Sequence, residues 1–246
     1  MMGGASPKTF HPRAAAVASR PPMKSIARNC TKAAALLALA FTLASCRTHP
    51  TEEKSGGWKP LFNGRSTDGW QMCGPGELKL ENGELVTHGG MGMLWYAREV
   101  FGDCRLRVVF KPTTGQDNSG VFIRIPEPPR DPWFAVNRGY EVQIENHGDA
   151  FHRTGTLYSF NEAKKIVSAR VNEWNTMIIT LEGRRTRVEV NGVLVTDFRE
   201  GDPVPPKVQD YEPDRGQRPT AGYIGLQNHD DTRRVHFREV SVAPLR

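Results

Sequence analysis

Short runs of alternating apolar and polar residues follow one another after residue 57, with turn residues between them. In 104–111, for example, apolar side chains recur at every second position, as in a strand that buries one face. Asn-Gly pairs at 82–83 and 191–192 each separate two such runs, which favours tight hairpins because both residues tolerate positive φ. Further strands are predicted at 92–98, 118–125, 139–146, 174–181, 221–229 and 235–243. No segment of useful length has the helical period, so we predict an all-β, two-sheet antiparallel jelly-roll sandwich.

Two proline-rich segments interrupt this pattern, at 126–137 and 201–219. Proline cannot donate a hydrogen bond to a ladder, so neither segment is predicted to be a strand. Loops of this length inside a domain are either functional or disordered. In the first segment, Trp133 and Phe134 either stack on a sugar ring or pin the loop to the domain.

The alternation also sorts side chains onto two faces, since neighbours along a strand point in opposite directions. In 139–146, Val142 and Ile144 face the core. The opposite faces of three strands carry Glu141, Gln143 and Glu145 from 139–146, Asn118, Phe122 and Arg124 from 118–125, and Tyr223, Gln227 and His229 from 221–229. One face of an antiparallel sheet commonly meets water and is polar for that reason alone. These residue types instead favour a groove for a polyhydroxylated ligand, provided that the sheets curve.

The basic character of the chain is confined to its first 45 residues. The whole chain has 33 Lys and Arg against 27 Asp and Glu. Six of the bases and none of the acids precede residue 46, which leaves 27 of each in the rest. A surface that binds nucleic acid needs net positive charge to offset the phosphates. Nucleic acid is therefore not predicted as a partner, and the length of the remainder fits one domain.

Within the leader of residues 1–45, about 23–45 have the order of a bacterial signal peptide. Bases come first, and an apolar run at 33–44 follows that is too short to span a bilayer. Leu43-Ala44-Ser45-Cys46 resembles a lipobox, which predicts lipidation of Cys46, a flexible tether over 46–57 and a single β-sandwich domain over 58–246. Cleavage of an ordinary signal peptide near Ala44-Ser45 is the alternative. We accordingly expect a protein of the cell envelope, held by a lipid anchor in a bacterial membrane on the periplasmic or outer-membrane side.

Export would permit disulfides. Of the four cysteines, Cys30 would leave with the leader and Cys46 would carry the lipid. Cys73 and Cys104 then either form a bridge or lie buried as small apolar residues. Their spacing does not decide between these, because a bridge requires that the two Cα atoms lie within about 7 Å of each other.

Several motifs together resemble the 3-keto-disaccharide hydrolase domain family, from about Trp58 to the C-terminus. They are Leu61-Phe62-Asn63-Gly64, Asn118-Ser119-Gly120-Val121-Phe122-Ile123-Arg124, Tyr140-Glu141-Val142-Gln143-Ile144, Thr154-Gly155-Thr156-Leu157-Tyr158 and Gly222-Tyr223-Ile224-Gly225-Leu226-Gln227-Asn228-His229. The resemblance implies a concanavalin- or laminin-G-like jelly roll, export, frequent lipid anchoring and a saccharide substrate. Asp230 departs from the family pattern, in which glycine commonly follows the histidine.

The resemblance also implies hydrolysis of 3-keto sugars, a reaction that does not require the pair of carboxylates used in ordinary glycoside hydrolysis. A conventional glycosidase uses two carboxylates about 5–10 Å apart. Glu141 and Glu145 lie four residues apart on one strand, which separates them by about 13 Å, so they do not form that pair. In a 3-keto sugar the ketone acidifies the proton on C2. One base can then remove this proton, the glycosidic oxygen on C1 leaves by β-elimination, and water adds back.

On this hypothesis Glu141 and His229 are the catalytic acid and base, and the sequence does not decide which is which. The other predicted site residues are Asn118, Arg124 and Gln143 for the hydroxyls and the developing oxyanion, Gln227 and Tyr158 for orienting the sugar, and Trp133 as a further contact. His147 and His152 are predicted to be solvated. No spacing of ligands matches a metal site, so neither a metal nor another cofactor is predicted.

Two other functions fit the same pattern. A non-catalytic carbohydrate-binding module of this fold would keep Trp133, Tyr158 and Arg124 as sugar contacts and would need no acid or base. A raised pKa of Glu141 would favour an enzyme over such a module. A structural surface lipoprotein would bind no saccharide at all.

Overall fold

The computed structural model describes residues 57–245, which form a two-sheet antiparallel β-sandwich with a single short helix. In chain order the elements are β1 (Lys59–Phe62), β2 (Trp70–Cys73), β3 (Glu77–Glu81), β4 (Glu84–His88), β5 (Gly92–Tyr96), β6 (Cys104–Pro112), β7 (Asn118–Ile125), α1 (Pro132–Arg138), β8 (Tyr140–Glu145), β9 (Asn175–Glu182), β10 (Arg185–Val190), β11 (Val193–Arg199), β12 (Tyr223–Asn228) and β13 (Val235–Pro244). The predicted all-β, two-sheet class is confirmed.

The two sheets differ in size and in what covers their outer faces. The larger sheet has the strand order β11-β10-β9-β6-β13-β4-β3, with β1 paired to β13, and the smaller has the order β2-β5-β12-β7-β8. Apolar side chains of both inner faces form one core, among them Phe110, Ile179, Val121, Val142 and Leu226. On its outer face the smaller sheet carries a second apolar cluster, in which Met93, Trp95 and Phe122 pack with Ala135 and Val136 of α1. This outer face positions the candidate site.

The two Asn-Gly pairs form hairpin turns, as predicted. Asn82 and Gly83 join β3 to β4 with φ angles of 50° and 83°, and Asn191 and Gly192 join β10 to β11 with 49° and 79°. Strands β1 and β2 were not predicted from sequence, because four residues are too few to establish an alternation.

Residues 132–137 of the segment at 126–137 belong to α1, so the prediction of a loop throughout this segment was wrong. Asp131 caps the helix, since its Oδ1 accepts a hydrogen bond of 3.0 Å from the Phe134 N–H. Pro132 then occupies the first turn, where a missing N–H costs nothing. The Asp-Pro pair was therefore a helix-start signal.

Cys73 and Cys104 are free thiols, so of the two alternatives that the sequence left open the bridge is not the one formed. They belong to different sheets, Cys73 to β2 and Cys104 to β6. Burial raises the pKa of each thiol to about 11, which keeps both neutral at physiological pH. The leader and Cys46 lie outside the described residues, and their roles stay predictions. Between residues 57 and 245 no helix is both long and apolar enough to cross a membrane.

Candidate active site

A cavity of about 850 Å³ lies on the outer face of the smaller sheet. Its floor is formed by β7, β8 and β12, and its walls by α1, the segment 148–159 and the proline-rich segment 201–219. Every residue predicted to form the site, with the exception of Arg124, lines this cavity: Asn118, Trp133, Glu141, Gln143, Tyr158, Gln227 and His229. Strand alternation thus placed side chains from three strands on one surface.

Glu141 is buried at the floor of the cavity, with 6% of its surface exposed. Burial raises the pKa of Glu141 to about 8, the Glu145 carboxylate adds to the rise, and the Gln227 side chain opposes it. A Glu141 carboxyl is therefore largely protonated at neutral pH and can donate a proton to a ligand.

Glutamine side chains around Glu141 have unused acceptors. Gln143 donates from Nε2 to Glu145 Oε2 over 2.9 Å and to Asn118 Oδ1 over 3.3 Å. Within 57–245 the Oε1 atoms of Gln143 and Gln227 have no hydrogen-bond partner, although these residues are only 2% and 3% exposed. A buried acceptor without a partner is costly, and hydroxyl groups of a ligand would satisfy both.

His229 follows β12 directly and is held by its neighbour. Its Nδ1 lies 3.0 Å from Asp230 Oδ2. Although burial alone would raise the pKa of Asp230, hydrogen bonds with His229, Thr232 and Arg233 lower it strongly. The Asp230 carboxylate thus accepts a hydrogen bond from the Nδ1–H of His229, which leaves the Nε2 lone pair free to act as a base. Asp230, the departure from the family pattern, is what fixes this tautomer.

Tyr158 is placed beside Glu141 by a strand-like segment along the edge of β8. The Tyr158 N–H donates to the Glu141 carbonyl over 2.9 Å, and the Gln143 N–H donates to the Thr156 carbonyl over 2.9 Å. Burial raises the pKa of the Tyr158 phenol, and the nearby Glu141 carboxyl adds to this. The phenol therefore stays protonated and offers a hydrogen-bond donor to the cavity.

His152 also lines the cavity, and the prediction that it is solvated was wrong. It is half-buried, with Nδ1 2.7 Å from Asp149 Oδ1 and Nε2 2.9 Å from Ser159 Oγ. His147, by contrast, is exposed as predicted. The partners of His152 lie three and seven residues away in a segment without regular structure, so strand alternation could not reveal them.

Trp133 and Phe134 divide the two roles that the sequence left open. Trp133 projects from α1 with 47% of its surface exposed and lines the cavity. Phe134 packs against the apolar cluster on the outer face of the smaller sheet. Phe134 thus holds the helix against the sheet, and the indole ring of Trp133 stays accessible from the cavity.

The proline-rich segment 201–219 contributes residues that the sequence did not single out. Tyr211, Glu212 and Arg215 line the cavity. Arg215 donates to the Pro205 carbonyl over 2.9 Å and to Glu212 Oε2 over 2.8 Å, which fixes the shape of the segment. The composition had marked the segment as a long loop but carried no signal for which of its residues turn inward.

Arg124 does not line the cavity, and its predicted role in substrate binding was wrong. β7 has a bulge where it pairs with β12. Phe122 lies opposite Gly225 and Ile125 lies opposite Tyr223, so β7 advances three residues while β12 advances two. This bulge reverses the alternation, so Ile125 joins Phe122 on the outer face and Arg124 turns away from it. The Arg124 guanidinium instead donates to the Gly183, Arg185 and Pro219 carbonyls.

A family model supplies the identification. The model of the 3-keto-α-glucoside-1,2-lyase-like domain matches residues 57–243, which include the whole cavity. The chain belongs to this family. The resemblance stated from the motifs is thereby confirmed.

Solved structures of other proteins share the fold of this lyase-like domain. Two proposed glycosyl hydrolases from Parabacteroides distasonis have TM-scores of 0.63, one 19% identical over 77% of this chain and 94% of its own, the other 24% identical over 76% and 99%. A Bacillus subtilis protein of unknown function with a galectin-like fold is 15% identical over 76% and 94%, with a TM-score of 0.53. At these identities the likeness shows the fold alone. The comparison with curated proteins found no match.

The family supports a function related to carbohydrates, and the lining of the cavity suits one. Within residues 57–245 no three His, Cys, Asp or Glu side chains are grouped so that they could hold a metal ion. The chemistry that the site itself offers is that of a buried carboxyl group, a histidine with a fixed tautomer, a phenol and unpaired amide oxygens.

Gly120 of the lyase-like domain leaves room for Glu141, and replacing it with alanine is expected to disturb the site. A Cβ at Gly120 would lie 2.3 Å from Glu141 Oε1 and 2.6 Å from its Cγ. We expect Gly120→Ala to lower the free energy of unfolding by about 1–3 kcal/mol, measured by urea denaturation. Gly102→Ala is the control, because a Cβ there would meet only the Ala221 Cβ at 3.7 Å. Equal stability of the two variants would mean that Glu141 does not occupy this position.

Proposed function

We propose that this protein cleaves the glycosidic bond of 3-keto-glycosides, including 3-keto-disaccharides, by elimination followed by addition of water. His229 Nε2 removes the proton from C2, the C1–O bond breaks, and Glu141 gives its proton to the leaving oxygen. The products of this step are the aglycone alcohol and an unsaturated 3-keto sugar. The Glu141 carboxylate then takes a proton from a water molecule that attacks C1, and His229 returns its proton to C2. Both residues end in their starting forms, and the net reaction is hydrolysis.

The observation that carries the proposal is the raised pKa of Glu141. Its value of about 8 keeps the carboxyl protonated at neutral pH, as an acid for an alkoxide leaving group requires. A residue that only held sugar hydroxyls would gain nothing from such burial. The tautomer that Asp230 imposes on His229 supports the complementary role, since it leaves a free lone pair on Nε2.

The remaining lining residues account for recognition of the sugar. The unpaired oxygens of Gln143 and Gln227 can accept hydrogen bonds from hydroxyl groups, and Asn118 lies beside Gln143. The protonated phenol of Tyr158 can donate to the 3-keto oxygen, on which negative charge develops when C2 loses its proton. The exposed ring of Trp133 can stack on a sugar face.

The rate of cleavage is expected to fall as pH rises through about 8. Glu141 must be protonated to act as the acid, and above its pKa the protonated fraction drops tenfold for each pH unit. The measurement is kcat/KM of purified protein between pH 5 and 10 on a 3-keto-α-glucoside with an alkyl aglycone. A rate that instead rises through pH 8 would reverse the assigned roles, and no cleavage at any pH would reject the proposal.

A non-catalytic carbohydrate-binding module is the second candidate, favoured by the exposed Trp133 and Tyr211 at the cavity. Such a module would bind a saccharide through the same rings and amides and release it unchanged. The assay above separates the two candidates, because binding without any product formation would be the signature of the module.

A further inference from the structure

Three side chains on one wall of the cavity form a continuous hydrogen-bonded chain. Asp149 Oδ1 lies 2.7 Å from His152 Nδ1, and His152 Nε2 lies 2.9 Å from Ser159 Oγ. The carboxylate of Asp149 accepts a hydrogen bond from the Nδ1–H of His152, and it is itself positioned by a hydrogen bond of 2.9 Å from the Phe151 N–H. Nε2 of a neutral His152 is then an acceptor, so the Ser159 hydroxyl donates to it. This order of carboxylate, imidazole and hydroxyl is the one that activates serine nucleophiles.

The backbone of Ser159 is held in a conformation that serine rarely adopts. Its φ angle is +61°, in the left-handed region that favours glycine. Hydrogen bonds on both sides hold this turn: the Tyr158 N–H donates to the Glu141 carbonyl over 2.9 Å, and the Phe160 N–H donates to the Leu157 carbonyl over 2.8 Å. Strain of this kind persists where the surroundings impose it, and it is concentrated at functional sites. In this conformation the Ser159 hydroxyl contacts His152 at the cavity wall.

We propose that Ser159 is a nucleophile toward acyl esters, with His152 as its general base and Asp149 as the residue that orients His152. Ser159 Oγ forms a bond to the acyl carbon while its proton moves to His152 Nε2. The ester C–O bond then breaks, and the alcohol leaves with the proton from Nε2. Water, deprotonated by His152, attacks the acyl-serine, which releases the carboxylic acid and restores the hydroxyl of Ser159.

The donor that stabilises the oxyanion would be a side chain in this site. The Ser159 N–H is directed to the Phe151 carbonyl at 3.3 Å and the Phe160 N–H to the Leu157 carbonyl, so neither is free. The protonated phenol of Tyr158 lines the same cavity, and its ring packs beside that of His152 with the centroids 5.0 Å apart. This arrangement and the amide-rich floor point to saccharides that carry a small acyl group on a hydroxyl. The saccharide part of that substrate rests on the proposed function, whereas the nucleophile does not.

A phosphonofluoridate probe tests the nucleophile directly, because it phosphonylates activated serines with loss of fluoride. The purified protein is incubated with the probe, and the modified residue is located by mass spectrometry of peptides. We expect labelling at Ser159. The variant Ser159→Gly, which accepts the positive φ and lacks the hydroxyl, should lose it. Ser168→Ala changes an exposed serine that does not line the cavity, and we expect it to label like the wild type.

The role of His152 as general base is tested by the rates of labelling and of ester hydrolysis. His152→Gln is expected to slow labelling of Ser159 at least 100-fold, and to slow hydrolysis of 4-nitrophenyl acetate and of an O-acetylated methyl glucoside equally. Near-ultraviolet circular dichroism checks that the variant is folded. Unlabelled Ser159 in wild-type protein, under conditions that label a known serine hydrolase, would overturn the proposal, and so would an unchanged rate in folded His152→Gln. Because labelling is measured at Ser159 itself, cleavage of 3-keto-glycosides can fail without affecting this result, and the reverse also holds.

Discussion

Glu141→Gln is expected to lower cleavage of 3-keto-glycosides by roughly 10²–10⁴-fold when the aglycone is a sugar or an alkyl alcohol. An alkoxide leaves poorly unless it is protonated, and the amide cannot supply the proton that the buried carboxyl holds up to pH of about 8. With 4-nitrophenol, which leaves as a stable anion, the loss should be less than about tenfold. The measurement is kcat/KM of both proteins on both substrates. His229→Gln should be equally slow on both, because removal of the C2 proton precedes departure of either group.

Three comparisons make this result decisive. Glu182→Gln changes an exposed carboxylate at the end of β9 and should leave both rates unchanged. An equal loss by Glu141→Gln on the two substrates would show that Glu141 is not the acid. The descending limb of the pH profile near 8 should also vanish in this variant.

The stability of Glu141→Gln provides a check that is independent of activity. In the wild type the folded pKa of about 8 lies above that of an unfolded glutamate, so the folded state holds more protons between about pH 4.5 and 8. The free energy of unfolding therefore decreases with rising pH across this range. A glutamine does not titrate, so the variant should match the wild type near pH 5 and exceed its stability by on the order of 4 kcal/mol at pH 9.

The alternation of apolar and polar residues predicted the face of each side chain correctly where strands pair without irregularity. β8 and β7 pair in continuous register from Asn118 opposite Glu145 to Ile123 opposite Tyr140. Along such a stretch the period of two holds, so Glu141 and Gln143 lie on the face opposite Val142 as the sequence predicted. The same argument placed Gln227 on the cavity side of β12. Local patterns were sufficient because the floor of the site consists of regular strands.

Local sequence patterns did not predict which residues form the walls of the cavity, and each failure has a physical reason. The bulge in β7 occurs at Arg124, which has a φ of +55°, and no glycine or asparagine there marks the change of face. The contact of His152 with Ser159 and the inward turn of Arg215 depend on how irregular segments fold against the sheet. The start of α1 did have a local signal in Asp131-Pro132, but the neighbouring prolines obscured it.

The role of Arg124 in joining the two sheets leads to the largest expected loss of stability. Its side chain is 1% exposed, and the guanidinium donates to the Gly183 and Arg185 carbonyls of the β9–β10 hairpin over 2.8 and 3.1 Å and to the Pro219 carbonyl over 3.2 Å. Arg124→Met would leave these three acceptors without their donor. Each buried acceptor that loses its donor costs about 1–3 kcal/mol. Methionine carries no charge, so the variant no longer has to bury one, and this offsets part of the loss. We expect a net loss of roughly 3–5 kcal/mol in the free energy of unfolding, measured by urea denaturation.

Two further variants distinguish this structural role from the binding role that strand parity predicted. Arg170→Met removes an exposed arginine whose partner is the exposed Glu173, and it should change stability by less than about 0.5 kcal/mol. Arg124→Lys keeps the charge but has no planar fork to reach both the hairpin and Pro219, so it should lose about 2–3 kcal/mol. Because the guanidinium points away from the cavity, KM for a 3-keto-glycoside should stay within about twofold in folded Arg124→Lys. A large increase in KM without loss of stability would return Arg124 to the substrate site and contradict the bulge that turns it away.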